Sequence, residues 1–178
     1  MKPLKGYNDA TASGDYERLA AGGYVIKIQS VRDADDKEYL EIVYDIAEGP
    51  EAGRYKSETE DYRHRFIRSY KEKALGMFKA FIQAVDESNG TKYGERIEKG
   101  FREQELVGKI LGAVFGYEEY EANDGNVKER LYIKSCMSAD RIRKGEFKVP
   151  ELKKLKEAPK AAVPEGFTPL SDEDVPFI

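Results

Sequence analysis

The sequence predicts a mainly β domain with one helical insertion, and three observations lead to this fold class. Two early runs, YVIKIQSV at 24–31 and YLEIVYDI at 39–46, place apolar residues at alternate positions, the period of a strand with one buried face. From 66 to 85 the apolar spacing changes to three and four residues, the period of an amphipathic helix. Finally, LVGKILGAVFGYEEY at 106–120 carries glycines at four-residue spacing, which fits a long strand that bends.

Length and composition indicate one core of ordinary size. The chain has 178 residues, 40% of them hydrophobic, which is enough for one domain with extensions. Charged residues make up 36%, yet the formal net charge is only -4, so attraction of a nucleic acid would require local charge. The single cysteine, Cys136, excludes an internal disulfide, and the single histidine, His64, leaves little for a catalytic triad. We expect His64 at the surface, beside a helix start.

Apolar runs also bear on the cellular compartment. The first residues, MKPLKGYNDATASG, contain no apolar signal region, and no stretch approaches the roughly 20 apolar residues of a membrane-spanning helix. We therefore expect a soluble protein of the cytoplasm, without a membrane partner.

The chain divides into an arm, one domain and an extension. Residues 1–21 are polar and rich in small residues, which predicts a flexible N-terminal arm. Residues 22–157 contain the periodic segments and form the predicted domain. Residues 158–178 shift to Ala and Pro, which indicates a disordered linker and tail.

Five strands and one long helix are predicted within the domain. The strands lie near 23–32, 38–47, 54–60, 106–121 and 127–136, and the helix lies at about 66–86, between the third and fourth strands. Ser138 is expected to cap a short helix that runs to Lys144, and 150–156 to add a helical turn. Because glycine bends help a small sheet to close, the expected architecture is a five-stranded OB-like barrel.

The end of the chain carries an acidic cluster followed by an aromatic residue. Asp172, Glu173 and Asp174 precede Val175-Pro176-Phe177. Such a peptide suits a partner's apolar pocket with a basic rim, because the ring is buried while the carboxylates pair with cations. The alternative is an acidic terminus without a partner.

This terminus resembles the tip of bacterial single-stranded DNA-binding proteins, in which acidic residues precede a hydrophobic residue, Pro and a terminal Phe. The resemblance implies that Asp172 to Phe177 recruit replication, recombination or repair proteins. Ile178 departs from the pattern, because in that family Phe itself carries the terminal carboxylate.

The body is similar to phage-encoded single-stranded DNA-binding proteins. The matching stretches are Gly23-Tyr24, Asp45-Ile-Ala-Glu-Gly49 and Phe66-Ile-Arg-Ser-Tyr-Lys71, in the order in which they recur in that group. The resemblance implies an OB-fold and a role in phage DNA replication or recombination inside a bacterial host.

Cations and aromatic residues are interleaved in the middle of the chain, with more basic than acidic residues between Arg54 and Lys79. Single-strand binding requires cations for the phosphates and aromatic faces on which bases stack. The candidate DNA-binding residues here are Arg54, Tyr55, Lys56, Tyr62, Arg63, Arg65, Arg68, Lys71 and Lys73.

The hairpin of the last two strands supplies a second candidate set. Alternation points Leu131 and Ile133 inward and Arg130, Tyr132 and Lys134 outward, and Phe115 and Tyr117 share a face of the preceding strand. The alternative for each ring is packing in the core, and for each cation a solvated surface.

We therefore expect sequence-tolerant binding and protection of single-stranded DNA, by a protein that can form a homo-oligomer. An adaptor that holds replication or recombination enzymes without binding DNA is the alternative, and a Mg²⁺-dependent nuclease is the third. Paired acids such as Glu118-Glu119 could bind Mg²⁺, but charged chains contain such pairs by chance. We expect no catalysis, metal or cofactor.

Overall fold

Five antiparallel strands form one sheet in the computed structural model, which describes residues 17–56 and 63–155. The strands are β1 Gly22–Ala34, β2 Tyr39–Ile46, β3 Arg65–Ser69, β4 Ile110–Glu121 and β5 Val127–Met137, in the order β3-β2-β1-β4-β5. Helix α1, Leu75–Asn89, lies between β3 and β4, and helix α2, Ala139–Arg143, follows β5. The mainly β class, the five strands and the inserted helix are confirmed. The sheet is open, with β3 and β5 at its two edges.

The third strand lies further along the chain than predicted. Of the predicted strand 54–60, residues 54–56 are in a turn and the rest lie outside the described residues. The observed β3 occupies the first residues of the predicted helix, which begins only at Leu75. His64 and Phe66 are buried while Arg63, Arg65 and Ile67 are exposed, so the segment alternates as a strand does. Phe66 also matches helical spacing with later apolar residues. The apolar Ile67 lies at an outward position and Arg68 has the parity of buried Phe66, so the residue types do not alternate between polar and apolar.

The core lies between the inner face of the sheet and α1. Ile42, Tyr44 and Phe115 of the sheet belong to one buried cluster with Phe81 and Val85 of the helix. The helix ends at Asn89 and is followed by Gly90, which has φ +63°. The Asn89 side chain donates to the Ile110 carbonyl oxygen (2.7 Å) and accepts from the Ile110 N–H (3.1 Å). The end of α1 is therefore attached to the start of β4.

Two glycines of β4 permit close packing on its outer surface. A Cβ at Gly112 would lie 2.5 Å from Cγ1 of Ile142 in α2, and a Cβ at Gly116 would lie 3.0 Å from Pro150. Ser138 precedes α2 as predicted, but its side chain makes no capping hydrogen bond. Gly112 and Gly116 therefore allow other segments to pack closely on the strand, whereas Gly108 precedes β4 and has a φ of +82°.

Residues beyond α2 return to the sheet in an extended conformation. Lys153 donates its N–H to the Tyr117 carbonyl oxygen (3.0 Å) and accepts from the Glu119 N–H (2.9 Å), where β4 continues past its pairing with β1. The predicted helical turn at 150–156 is thus wrong for 150–155, since these residues cover an edge of β4. We call 150–155 the edge segment.

The packed part of the chain begins before the predicted boundary at residue 22. Leu19 is buried in the main core cluster, and the Tyr117 hydroxyl donates to its carbonyl oxygen (2.6 Å). No helix in the described part of the chain is long and apolar enough to cross a membrane.

Candidate nucleic-acid interface

A groove of about 620 Å³ lies between the two edge strands of the sheet, and we call it the β3–β5 groove. These two strands are not paired with each other, and β3 has five residues whereas β5 has eleven. Its lining residues come from four strands and the residues before β3: Tyr44, Arg63, Arg65, Phe66, Ile67, Arg68, Phe115, Glu118, Arg130, Leu131, Tyr132 and Ile133.

The floor of the groove is aromatic and belongs to the core. The ring centroid of Tyr44 lies 5.8 Å from that of Phe66 and 5.6 Å from that of Phe115. Leu131 and Ile133 pack against the same cluster from β5, facing inward as alternation predicts. Because the floor is apolar, polar contacts to a ligand must come from the rim.

Arginines dominate the charge of the groove. Among residues 17–56 and 63–155, its lining contains four arginines, at 63, 65, 68 and 130, and one carboxylate, Glu118. The Arg68 guanidinium lies 4.8 Å from the ring centroid of Phe66, and its Nη2 donates to Sγ of Cys136 on β5 at 3.2 Å. Arg68 therefore connects the two edge strands through a side chain, where no strand pairing joins them.

The carboxylate of Glu118, in the groove, holds two cations. Glu118 accepts hydrogen bonds from Nζ of Lys153 (2.8 Å) and from Nε of Arg130 (2.9 Å). The hydrogen bond from Lys153, and then that from Arg130, hold the pKa of the Glu118 carboxyl below its ordinary value against the opposing effect of burial. Glu118 is therefore ionised at neutral pH and joins the groove to the edge segment.

Two predicted stacking residues lie in the core. Phe115 is 0% exposed, between the rings of Tyr24 and Tyr44, and Tyr55 is 4% exposed, edge-on to the rings of Tyr44 and His64. Their ring faces are covered by neighbouring side chains, so a base cannot stack on them in this conformation. The expectation of a surface position for His64 is also wrong, because this side chain is 3% exposed.

Two further predicted residues attach the N-terminal segment to the domain. Arg54 pairs with Glu51 (2.5 Å) and also donates to the Glu17 carbonyl oxygen, while Tyr117 holds Leu19. Neither residue lines the groove. Both residues stabilise the packing of the N-terminal segment, and neither is placed at the candidate nucleic-acid interface.

The remaining candidates divide between the groove and the open surface. Arg63, Arg65, Arg68, Arg130 and Tyr132 line the groove, and Tyr132 is half-buried, with Nζ of Lys153 5.7 Å from its ring centroid. The exposed cations that do not line it are Lys56, Lys71, Lys73 and Lys134. Tyr62 and the predicted docking residues 172–177 lie outside the described residues.

Sequence reasoning missed two charged residues of this site. Glu118 and Lys153 are far apart in sequence and meet only because the edge segment pairs with β4. The paired acids at 118 and 119 were visible, but the structure uses Glu118 as an ion-pair partner. In residues 17–56 and 63–155, no group of three or more His, Cys, Asp or Glu side chains is arranged to hold a metal ion.

In comparisons with known proteins, no family model and no curated protein matches the chain.

Proposed function

We propose that the protein binds single-stranded DNA with little sequence preference, through the β3–β5 groove. The observation that carries the proposal is the arrangement, in the described part of the chain, of four arginines and one carboxylate around an aromatic floor at the unpaired edges of the sheet. Arginine suits this role because its planar group both pairs with phosphates and stacks on rings. The surplus of cations and the half-buried ring of Tyr132, rather than the buried rings of the floor, would supply the two contacts that unpaired nucleic acid requires.

We also propose that the sheet is an OB-like barrel left open between β3 and β5. An OB-fold is a five-stranded, partly open barrel that binds oligonucleotides on its strand 2–3 face and nearby loops. The hydrogen bond from Arg68 to Cys136 supports this view, because it brings the two ends of the sheet within side-chain reach. The position of α1 between β3 and β4, in contact with β3, β4 and β5, supports it as well.

The biological setting rests on the sequence resemblance. We propose a phage single-stranded DNA-binding protein, active in replication or recombination in the bacterial cytoplasm, whose residues 172–177 recruit partner proteins. Pull-down of replication proteins by the full chain, lost on Phe177→Ala with DNA affinity unchanged, would support the docking role. Retention of every partner by this variant would contradict it.

A titration of fluorescent oligo(dT) across salt concentrations tests DNA binding. Each phosphate contact to a single strand lowers the slope of log affinity against log salt by roughly 0.7, so four contacts predict a slope near -3. Absence of binding at low salt would overturn the proposal and leave the adaptor as the better account. Cleavage of the oligonucleotide in the presence of Mg²⁺ would instead indicate the nuclease.

A further inference from the structure

Glu41 is a buried carboxylate on the outer face of the sheet. It lies between Leu40 and Ile42 of β2, whose side chains enter the core, so its own side chain points to the opposite face. That side chain is only 9% exposed, because arginines from both neighbouring strands lie against it. Nη2 of Arg32, on β1, contacts one carboxylate oxygen, and Nη1 of Arg65, near the start of β3, contacts the other.

The two arginines keep most of their donors available. Their side chains are 69% and 39% exposed, and a guanidinium has five N–H donors, of which Glu41 uses a single nitrogen from each. Two cations on one carboxylate leave a local charge of about +1. The exposed guanidinium groups lie on both sides of the Glu41 carboxylate and can donate to an anion that has several oxygens. Phosphate is the anion that they match best.

This cluster is continuous with the β3–β5 groove. Arg65 belongs to both, since it lines the groove and contacts Glu41. Arg32 pairs in register with Glu41, so the cationic surface extends from β3 across β2 to β1. The hydrogen bond and charge of Glu41, and more weakly Tyr39 and Asp36, raise the pKa of Arg32. Asp36 and its acidic neighbours in the β1–β2 turn bound the cationic surface on this side.

We propose that Arg32 and Arg65, held by Glu41, form a subsite for one backbone phosphate of the strand bound in the groove. The inference rests on the proposed single-strand binding and adds Arg32, on a strand that does not line the groove, to the interface. The phosphate is shared by the two arginines, so the subsite is one contact made by two side chains. The acidic turn beyond it ends the path of the nucleic acid.

Single and double alanine variants test this subsite in the full chain. Arg32→Ala should weaken oligo(dT) binding about five- to tenfold and reduce the salt slope by roughly 0.7. Arg32→Lys should recover part of the affinity, because the charge remains while the planar fork is lost. The matched control is Arg96→Ala, because Arg96 is also exposed and also bound to a carboxylate, Glu105, at 2.7 and 2.8 Å, but does not line the groove.

The double variant Arg32→Ala/Arg65→Ala separates a shared phosphate from two independent ones. A shared phosphate predicts that the double variant loses about the same slope as either single variant, roughly 0.7, rather than twice that amount. A loss of two contacts, or an effect of Arg32→Ala no larger than that of Arg96→Ala, would overturn the subsite. Circular dichroism melts of each variant confirm folding. Failure of the unsubstituted protein to bind oligo(dT) would refute the proposed function instead, so the two failures are distinguishable.

Discussion

Two edges of this sheet differ in what covers them. Where β4 extends past β1, the edge segment supplies backbone hydrogen bonds to Tyr117 and Glu119, and the edge is covered. Between β3 and β5, only side chains meet, and the opening is surrounded by arginines. Exposed edges invite unwanted strand pairing, and proteins commonly cover them or place charges there. Here the backbone of the edge segment covers one edge, and arginines line the other. The β3–β5 groove at that second edge is therefore suited to a ligand.

Charge reversal at the open edge should give the largest effect. We expect the triple variant Arg63→Glu, Arg65→Glu and Arg68→Glu to weaken oligo(dT) binding by at least about 100-fold and to lower the salt slope by roughly 2. Fluorescence titration at several salt concentrations measures both quantities. The control variant reverses Lys92, Arg96 and Lys99, three exposed cations between α1 and β4, and changes the net charge equally. Equal losses in both variants would show a response to net charge alone, with no special role for the groove.

Opening the covered edge should affect stability more than DNA binding, which we expect to weaken slightly because Lys153 also neutralises Glu118 in the groove. Lys153→Pro removes the N–H that bonds to Tyr117 and the ammonium that bonds to Glu118, which we expect to cost about 1 to 2 kcal/mol of unfolding free energy. Urea denaturation measures the loss, and hydrogen exchange should become faster at the Glu119 amide. Lys154→Pro is the control, because an extended backbone accepts proline there. If both variants are as stable as the parent, the edge segment contributes nothing to the fold.

Tyr132 lines the β3–β5 groove and also contacts Lys153 of the edge segment. Substituting it shows whether its ring binds DNA or stabilises the fold. We expect Tyr132→Ala to weaken oligo(dT) binding by about 1 kcal/mol, the effect of losing one stacked base, with a smaller change in stability. Tyr132→Phe keeps the ring and should bind like the parent. A lower melting temperature with normal affinity would instead assign the ring to packing under Lys153.

Glu118 connects the edges, and its neutralisation should have the smallest effect. Glu118→Gln removes a carboxylate that lines the groove, so we expect affinity for oligo(dT) to rise about threefold. Because the folded pKa of Glu118 lies below its ordinary value of 4.5, its stabilising effect is present above that pH and is lost as pH falls through the folded pKa. The variant should therefore lose less stability than the parent on acidification. Equal decreases in melting temperature for the variant and the parent as the pH is lowered would contradict this prediction.

The sequence predicted the elements that have a local apolar period, and it did not predict the contacts made between strands that are distant in sequence. Strands β1, β2, β4 and β5 and helix α1 follow from apolar spacing. Strand β3 was misplaced because its polar and apolar residues do not alternate, with Ile67 outward, and because Phe66 fits two periods. Tyr55 and Phe115 were assigned to the interface since their burial depends on which rings surround them in space. Arg32 was overlooked for the same reason, because Glu41 joins it to Arg65 only across three strands.

The pairing of β1 with β4 has a consequence for the order in which the newly made chain acquires structure. Gly22 pairs with Phe115, so β1 leaves the ribosome long before its second neighbour exists. At typical synthesis rates the delay is on the order of ten seconds, while the β1–β2 hairpin can form in microseconds. During this interval the far edge of β1 carries unpaired backbone groups beside Ile26 and Val25. Until β4 has been synthesised, no strand of this sheet can pair with that edge of β1, and the β1–β2 hairpin alone is only marginally stable.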